Sequence, residues 1–321
     1  MRLSVVIASR NTVDLLRECL VSLEADGIPG ADAEVIVVDN GSDDGSPAMV
    51  ATEFPSVRLI RNAQNLGFSR ANNQGLRASV GDYMALLNSD TRVTPGALRH
   101  LASFLEAHED VGAVGPMLVS PNGSVQPSCS TFLSLRAALF EQLFLDKLFL
   151  RSRLFGAHYL TWWSYDQARD VDVLGGACLM APRNVWRAVG LLDERYFMYC
   201  EDADWCLRCH RSGLRRVYLP TAQVAHHHGA SSRTDRGSMV LAYNVSRCIY
   251  FATHHGLVVA ERVRRIAIAG SALRLWLWRA KAATGRALAR NQVAMWRGVL
   301  TGLRELNVAA LPLEPQIPAL Q

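Results

Sequence analysis

The sequence predicts an α/β protein built on a doubly wound, mostly parallel sheet, with a helical extension at its C-terminus. Three observations carry that prediction. Four short apolar runs, LSVVIA, EVIVVD, VRLIRN and YMALLN, punctuate the first 120 residues and read as buried strands of a parallel sheet. Helix-period patterns fill the gaps between them, and strand–helix alternation of this kind builds a doubly wound sheet. Each run also ends in polar residues, and ligands of such sheets bind beyond the C-terminal strand ends.

Taken in order, the first run ends in Ser9, Arg10 and Asn11, and Val13, Leu16, Leu20 and Leu23 then recur along one helical face. The second run delivers Asp39 and Asn40 ahead of Gly41, Ser42 and Asp43, and the third ends in Asn62. A helix is expected over about residues 68–79, followed by the fourth run and Asn88-Ser89-Asp90. Pro95 then opens a further helix at a favourable first-turn position. Any one of these strand-end clusters is ordinary turn chemistry. Four at one edge make a site.

The 321 residues carry a net charge of +5, spread unevenly. Residues 240–321 hold 11 Lys and Arg against 3 Glu, whereas residues 1–239 are net −3. The tail could therefore meet nucleic acid or the anionic face of a membrane. Seven cysteines at irregular spacing point to free thiols in a reducing compartment. No stretch reaches the roughly 18 apolar residues of a spanning helix, and the N-terminus lacks a signal-peptide pattern, so the chain is expected in the cytoplasm. Neither the G-x-G-x-x-G fingerprint nor the G-x-x-x-x-G-K-[ST] loop follows the first strand, which argues against a nicotinamide dehydrogenase or a P-loop NTPase.

The stretch MYCEDADWCLR crowds Glu201, Asp202 and Asp204 into four positions. Carboxylates this close raise one another's proton affinity, which suits a general base. A helix start, where the backbone dipole favours acids, is the simpler explanation. Cys206, Cys209 and the histidines of VAHHHGASS superficially mimic zinc-ligand spacing, but small apolar packing on a helix explains the two thiols better.

Seven blocks, VVIASRN, VIVVDNGSDDGS, NLGFSRANNQG, LLNSDT, GGACLMAPR, FMYCEDADWCLR and VAHHHGASS, stand in the order and approximate spacing of the family-2 glycosyltransferases. The chain resembles the rhamnosyltransferase-like branch of that family over about residues 1–255. The resemblance implies a GT-A fold with a nucleotide-sugar-binding half (1–120), an acceptor-binding and catalytic half of the same domain (121–255), and a basic, Trp-containing helical tail (256–321).

It also implies roles. Asp39 holds the place of the Asp that contacts base or ribose, with Ser9, Arg10, Asn11 and Asn40 alongside it. Arg10 stands where an aromatic often packs on the base, and its guanidinium plane can stack there instead. Arg70 is placed to meet the diphosphate, and Asn65 and Gly67 shape its loop. Asn88-Ser89-Asp90 replaces the usual D-x-D, so Asp90 would ligate Mg²⁺ or Mn²⁺ with Asn88 assisting. By motif position Asp202 is the base, Glu201 and Asp204 position it or hold acceptor hydroxyls, and His226 reaches the metal or the diphosphate.

The resemblance implies an inverting transfer of sugar, such as rhamnose from dTDP-rhamnose, to a saccharide or lipid-linked acceptor for surface polysaccharide. The partners become a nucleoside diphosphate sugar, that acceptor and an anionic membrane surface, with no nucleic acid. A nucleotidyltransferase also sets carboxylates and a metal at strand ends, but it would be expected to carry a Gly near the first strand, and ASRNTVD has none. A nucleotide-sugar-binding module without catalysis is the other alternative, supported only by Asn88. Two further segments remain. Residues 131–163 repeat apolar residues at Leu139, Phe140, Leu143, Phe144 and Leu148, as a core helix or as an acceptor groove or lid facing lipid would. The tail, with Trp276, Trp278 and Trp296, reads as an interfacial amphipathic helix or as helices packed on the domain.

Overall fold

A computed structural model describes residues 2–227, 236–283 and 287–320. The first part of the chain runs β1 (Leu3–Ser9), α1 (Val13–Glu24), β2 (Ala33–Asn40), α2 (Ser46–Glu53), β3 (Arg58–Asn62), α3 (Phe68–Ala78), β4 (Tyr83–Leu87), β5 (Thr91–Val93), α4 (Ala97–Ala107) and β6 (Val111–Val119). Next come the two-residue strands β7 (Val125–Gln126) and β8 (Cys129–Ser130), α5 (Leu135–Gln142), α6 (Leu145–Leu148), and β9 (Arg169–Asp170) and β10 (Val173–Leu174). The chain continues through β11 (Cys178–Pro182), α7 (Arg183–Val189), α8 (Glu201–Arg211) and β12 (Arg215–His226), and ends in α9 (Arg236–His255), α10 (Leu257–Ala282) and α11 (Ala287–Glu305).

The main sheet has the order β3-β2-β1-β4-β11-β6-β12-β5. The first four strands of that order are mutually parallel, β11 is reversed, β6 and β12 resume the parallel direction, and β5 closes the edge antiparallel. Alternation along β1 shows why helices cover both faces. Val5 and Ile7 join a core with Leu16, Leu20 and Leu98, while Val6 joins the opposite core with Leu76, Trp186 and Trp205. The run VRLIRN departs from its expectation, because β3 is the sheet's outer strand and only partly buried.

The parallel register lines up the strand ends, with Ser9 beside Asp39 and Asn40 beside Asn62. The second half extends the same sheet, since β11 pairs β4 and β12 pairs β6. Trp186 and Trp205 pack with ring centroids 4.4 Å apart and lock α7 to α8. All seven cysteines are buried free thiols, as packing requires.

The tail packs on the domain. Helix α10 lies against α9, α11 and α5. Arg274, a charge within the long helix α10, is turned inward. Its guanidinium donates to the Gln142 and Gly270 carbonyls and Gln142 Oε1 (2.9–3.1 Å) and stacks 4.1 Å from the Phe144 ring. Trp296 packs on the same guanidinium at 5.4 Å. Residues 312–318 then strap the loop before α8. The buried pair Arg195–Asp193 bonds the carbonyls of Pro312 and Leu313 and the amide of Gln316. Among the described residues no helix is long and apolar enough to cross a membrane.

Candidate active site

A cleft of about 430 Å³ opens where the strand ends meet the start of α8. Asn88, Asp90 and His226 line one side, and Glu201 and Asp202 the other. Asn88 and Asp90 follow β4, and His226 ends β12, whose antiparallel pairing with β5 sets it opposite Thr91. His226 Nε2 lies 3.3 Å from Asp90 Oδ1 and 3.5 Å from Asn88 Nδ2.

Gln126, which sequence reasoning missed, fixes that ring. Its amide nitrogen donates to the His226 carbonyl (2.7 Å) and to Ser120 Oγ (3.0 Å), so its oxygen accepts from His226 Nδ1 at 3.0 Å. Nε2 is thereby turned toward Asp90. A carboxylate, an imidazole nitrogen and a side-chain amide converging on one point suit a hard or borderline divalent cation that takes its remaining oxygens from phosphate. Among the described residues no group of three or more His, Cys, Asp or Glu gathers to hold a metal by itself. His228 to Ser232 of the VAHHHGASS block lie outside the described residues.

The acidic block splits three ways. Asp202 is half-buried, accepts from the amides of Gly176 (3.1 Å) and Ala203 (2.8 Å), and titrates above the usual carboxylate range because burial disfavours its charge. Glu201 is buried, its Oε2 has no hydrogen-bond partner, and burial followed by the neighbouring Asp202 charge pushes it well upward. Asp204 points the other way. Burial would raise it, but His254 Nε2 at 2.7 Å and Arg208 at 2.9 Å outweigh that and hold it below the usual range. Its place is in a buried ion pair and it does not line the cleft, so the expectation that it holds acceptor hydroxyls is corrected.

The backbone before the block is strained. Tyr199 and Cys200 hold φ of 70° and 66°, each costing on the order of 1–3 kcal/mol for a non-glycine residue. No sequence signal marks this, since neither position is a glycine. Gly67 faces the same loop at φ +86°, and a Cβ there would fall 2.5 Å from the Phe197 carbonyl. The contact brings the Phe68 amide within 2.6 Å of that carbonyl and the Phe68 ring against Gly176.

At the remaining strand ends, several expected donor contacts are spent internally. Ser9 and Ser89 are buried and bridged through the Thr12 hydroxyl at 3.0 Å on each side. Asn40 clamps the loop at Asn65, Leu66 and Gly67 and meets Asn62, and Asn65 Oδ1 accepts from Asn40 and the Gly67 amide. These four hold the strand-end loops together from within. Asn11, at φ 52°, accepts from the Asp43 amide through its side chain and donates to Ser42 Oγ through its own amide. Arg10 is exposed. Arg70 sits 3.7 Å from Glu194, half exposed and outside the cleft lining. Asp39 is buried, with Oδ2 accepting from the Ser42 amide and Oδ1 buried without a hydrogen-bond partner, and it is not among the residues lining the cleft.

Comparisons with known proteins agree with this arrangement. The profile described as Glycosyl transferase family 2 matches residues 4–154. The chain is 33% identical over 233 residues to an N-acetylglucosaminyl-diphospho-decaprenol L-rhamnosyltransferase of Mycobacterium tuberculosis, covering 69% of this chain and 75% of that one. It is 24% identical over 202 residues to the dTDP-rhamnosyl transferase RfbF of Shigella flexneri, covering 62% and 61%. A mannosyltransferase from Pyrobaculum calidifontis, solved with GDP-Man and Mn²⁺, superposes with a TM-score of 0.54 at 16% identity, over 95% of this chain and 86% of that one. The matched profile and the mycobacterial relative, on a GT-A fold with its acids and strand ends around one cleft, show that this chain is a glycosyltransferase and belongs to family 2.

Proposed function

We propose that the protein is an inverting glycosyltransferase that takes L-rhamnose from dTDP-rhamnose and passes it to a lipid-linked saccharide acceptor in surface polysaccharide synthesis. The observation that carries the reading is that Glu201 and Asp202 share one cleft with Asn88, Asp90 and His226. Residues 1–120 would bind the donor and residues 121–255 the acceptor, with residues 256–321 bracing the second half. The two rhamnosyltransferase relatives support the sugar, and the decaprenol-linked substrate in one name supports the acceptor. An acceptor of that kind would put the enzyme at the cytoplasmic membrane face.

The acceptor hydroxyl attacks the anomeric carbon in line with the departing diphosphate. The new C–O bond forms as the bond to the diphosphate oxygen breaks, and the proton passes to the Asp202 carboxylate. Raised proton affinity suits that carboxylate to accept a proton near neutrality. Asp39 would bind base or ribose through its unpartnered oxygen, and the Gly176 and Ala203 amides orient Asp202. Asp90 and His226, with Asn88 beside them, fit Mg²⁺ or Mn²⁺, which would neutralise charge on the leaving diphosphate. The test supplies dTDP-rhamnose with and without a lipid-linked acceptor. Release of dTDP that depends on acceptor supports the reading; donor specificity for another nucleotide sugar overturns the choice of rhamnose.

A further inference from the structure

The cleft's acceptor-side wall continues into the segment from α5 to Leu154, and that segment departs from the core helix its periodicity suggests. Phe144 adopts φ 61° and breaks the helix, so α5 and α6 are separate. Six large apolar side chains then face solvent within sixteen residues. They are Leu139 (42% exposed), Leu143 (45%), Leu148 (70%), Phe149 (51%), Leu150 (53%) and Leu154 (48%). Folded proteins seldom leave so many together without a partner.

The charges of the segment are sorted by sign. Arg136, Lys147, Arg151 and Arg153 are exposed. Its two acids turn inward, Glu141 onto Arg247 at 3.1 Å and Asp146 into the interior. The surface presented outward is therefore apolar and wholly cationic. A cavity of about 250 Å³ lies directly behind it, lined by Phe140, Leu154 and Phe155 and by His158 and Tyr159. His158 and Tyr159 also line the cleft, so one wall separates the exposed patch from the reacting groups.

From this juxtaposition we infer that the Lys147–Leu154 segment docks the enzyme on an anionic lipid bilayer, with Leu148, Phe149 and Leu150 entering the acyl boundary. The inference rests on the lipid-linked acceptor proposed above and names the surface that meets its membrane. Lys147 and Arg151 flank the three apolar residues at the position where headgroup phosphates lie. Charge complementarity selects an anionic bilayer over a second copy of this chain, whose matching patch would bring like charges together. Docked this way, the cleft faces the bilayer across one wall, and the polar head of an acceptor reaches the acids while its lipid stays in the membrane. The Trp276 face of the tail is not needed for this.

The test uses the full chain with equimolar phosphatidylglycerol–phosphatidylcholine vesicles and pure phosphatidylcholine vesicles in flotation. Three variants are compared: Leu148→Ser with Phe149→Ser and Leu150→Ser; Lys147→Glu with Arg151→Glu; and Trp276→Ala. Wild type should float with anionic vesicles and weakly with neutral ones. The apolar triple should lose at least about tenfold in partition at any salt. The charge pair should lose about fivefold per residue at low salt, a loss that shrinks as salt rises. Trp276→Ala should float as wild type does. Should the triple fail to fold, as judged by circular dichroism, the charge pair decides alone.

Binding of dTDP-rhamnose, read by calorimetry, should be unchanged in all three variants, and transfer to a vesicle-borne acceptor should fall only in the first two. If wild type ignores anionic vesicles, or both patch variants bind as it does, the docking inference is overturned even where donor turnover stands. If instead the patch variants convert a dimer to a monomer and leave flotation intact, the surface belongs to a second copy and the inference also falls. Failure of donor turnover in wild type with intact flotation would strike the functional reading alone.

Discussion

The strand-end edge and the start of α8 face each other across one cleft, yet they are built on opposite principles. At the strand ends most polar groups satisfy one another. Ser9, Thr12 and Ser89 form a hydroxyl chain, Asn40 holds the Asn65 loop, and Gln126 clamps His226. At α8, two carboxylates are brought together in a buried setting where two backbone amides only partly offset the burial of Asp202 and Glu201 Oε2 has no partner at all. The first edge is internally bonded and so resists movement. The second stores proton affinity, which is what abstraction of a hydroxyl proton requires. Within α8 the division recurs, because Asp204, two residues beyond Asp202, is held ionised by His254 and Arg208.

Asp202→Asn should break the proton-accepting side most. It keeps the Gly176 contact geometry and loses the proton acceptor, so transfer should fall by roughly 10²–10⁴ while donor binding by calorimetry is retained. Near-normal turnover would move the role to Glu201. Removing the third acid of the block should register as instability. Asp204→Ala leaves Arg208 and His254 buried without their carboxylate, and a loss of about 3–5 kcal/mol is expected in urea unfolding. A value under about 1 kcal/mol would put Asp204 back among the cleft groups.

The two kinds of acid also respond to pH with opposite sign. Asp204 has a lowered pKa, so its contribution is complete above the ordinary carboxylate range and lost as pH falls through its own lower value. Glu201 and Asp202 have raised pKa values, so the folded state holds extra protons and loses stability as pH rises through the window above the ordinary range. Asp202→Asn should therefore flatten the stability profile in that upper window, and Asp204→Asn should flatten it on the acid side. Equal profiles in the two variants would refute the division. The wild-type rate should climb over the same upper window, as the base loses its proton.

At the rigid edge, single substitutions should have smaller effects than removal of the metal itself. Chelator should abolish transfer, and Gln126→Ala, which frees the His226 ring without touching a ligand, should raise the metal concentration needed for half activity by about 10–100-fold. An unchanged metal requirement would leave Gln126 a packing residue. Smallest is Arg70→Ala. Its exposed, long pair with Glu194 is worth at most about 1 kcal/mol, so stability and donor affinity should move little. A tenfold loss of donor affinity would return Arg70 to the diphosphate.

The sequence by itself determined the sheet and its binding edge. The continuous apolar runs of β1 and β4, the helical period of α1 and the polar residues after each run are local properties, and local pattern suffices to order strands and helices. The seven motif blocks likewise located the acids and the Asn88–Asp90 turn. Only the tertiary structure decided what each group does there. Asp202 and Asp204 are chemically identical and two residues apart, and no local pattern separates them. His254 arrives from α9, fifty residues on, to keep one ionised, while Gly176 arrives from the loop before β11 and leaves the other half-buried in the cleft. The same holds for Arg274, whose charge is received by Gln142 and Phe144 from another part of the chain, and for Gln126, which has no motif. Proton affinity and ligand geometry depend on burial and on partners distant in sequence, so they become fixed only when the chain has closed on itself.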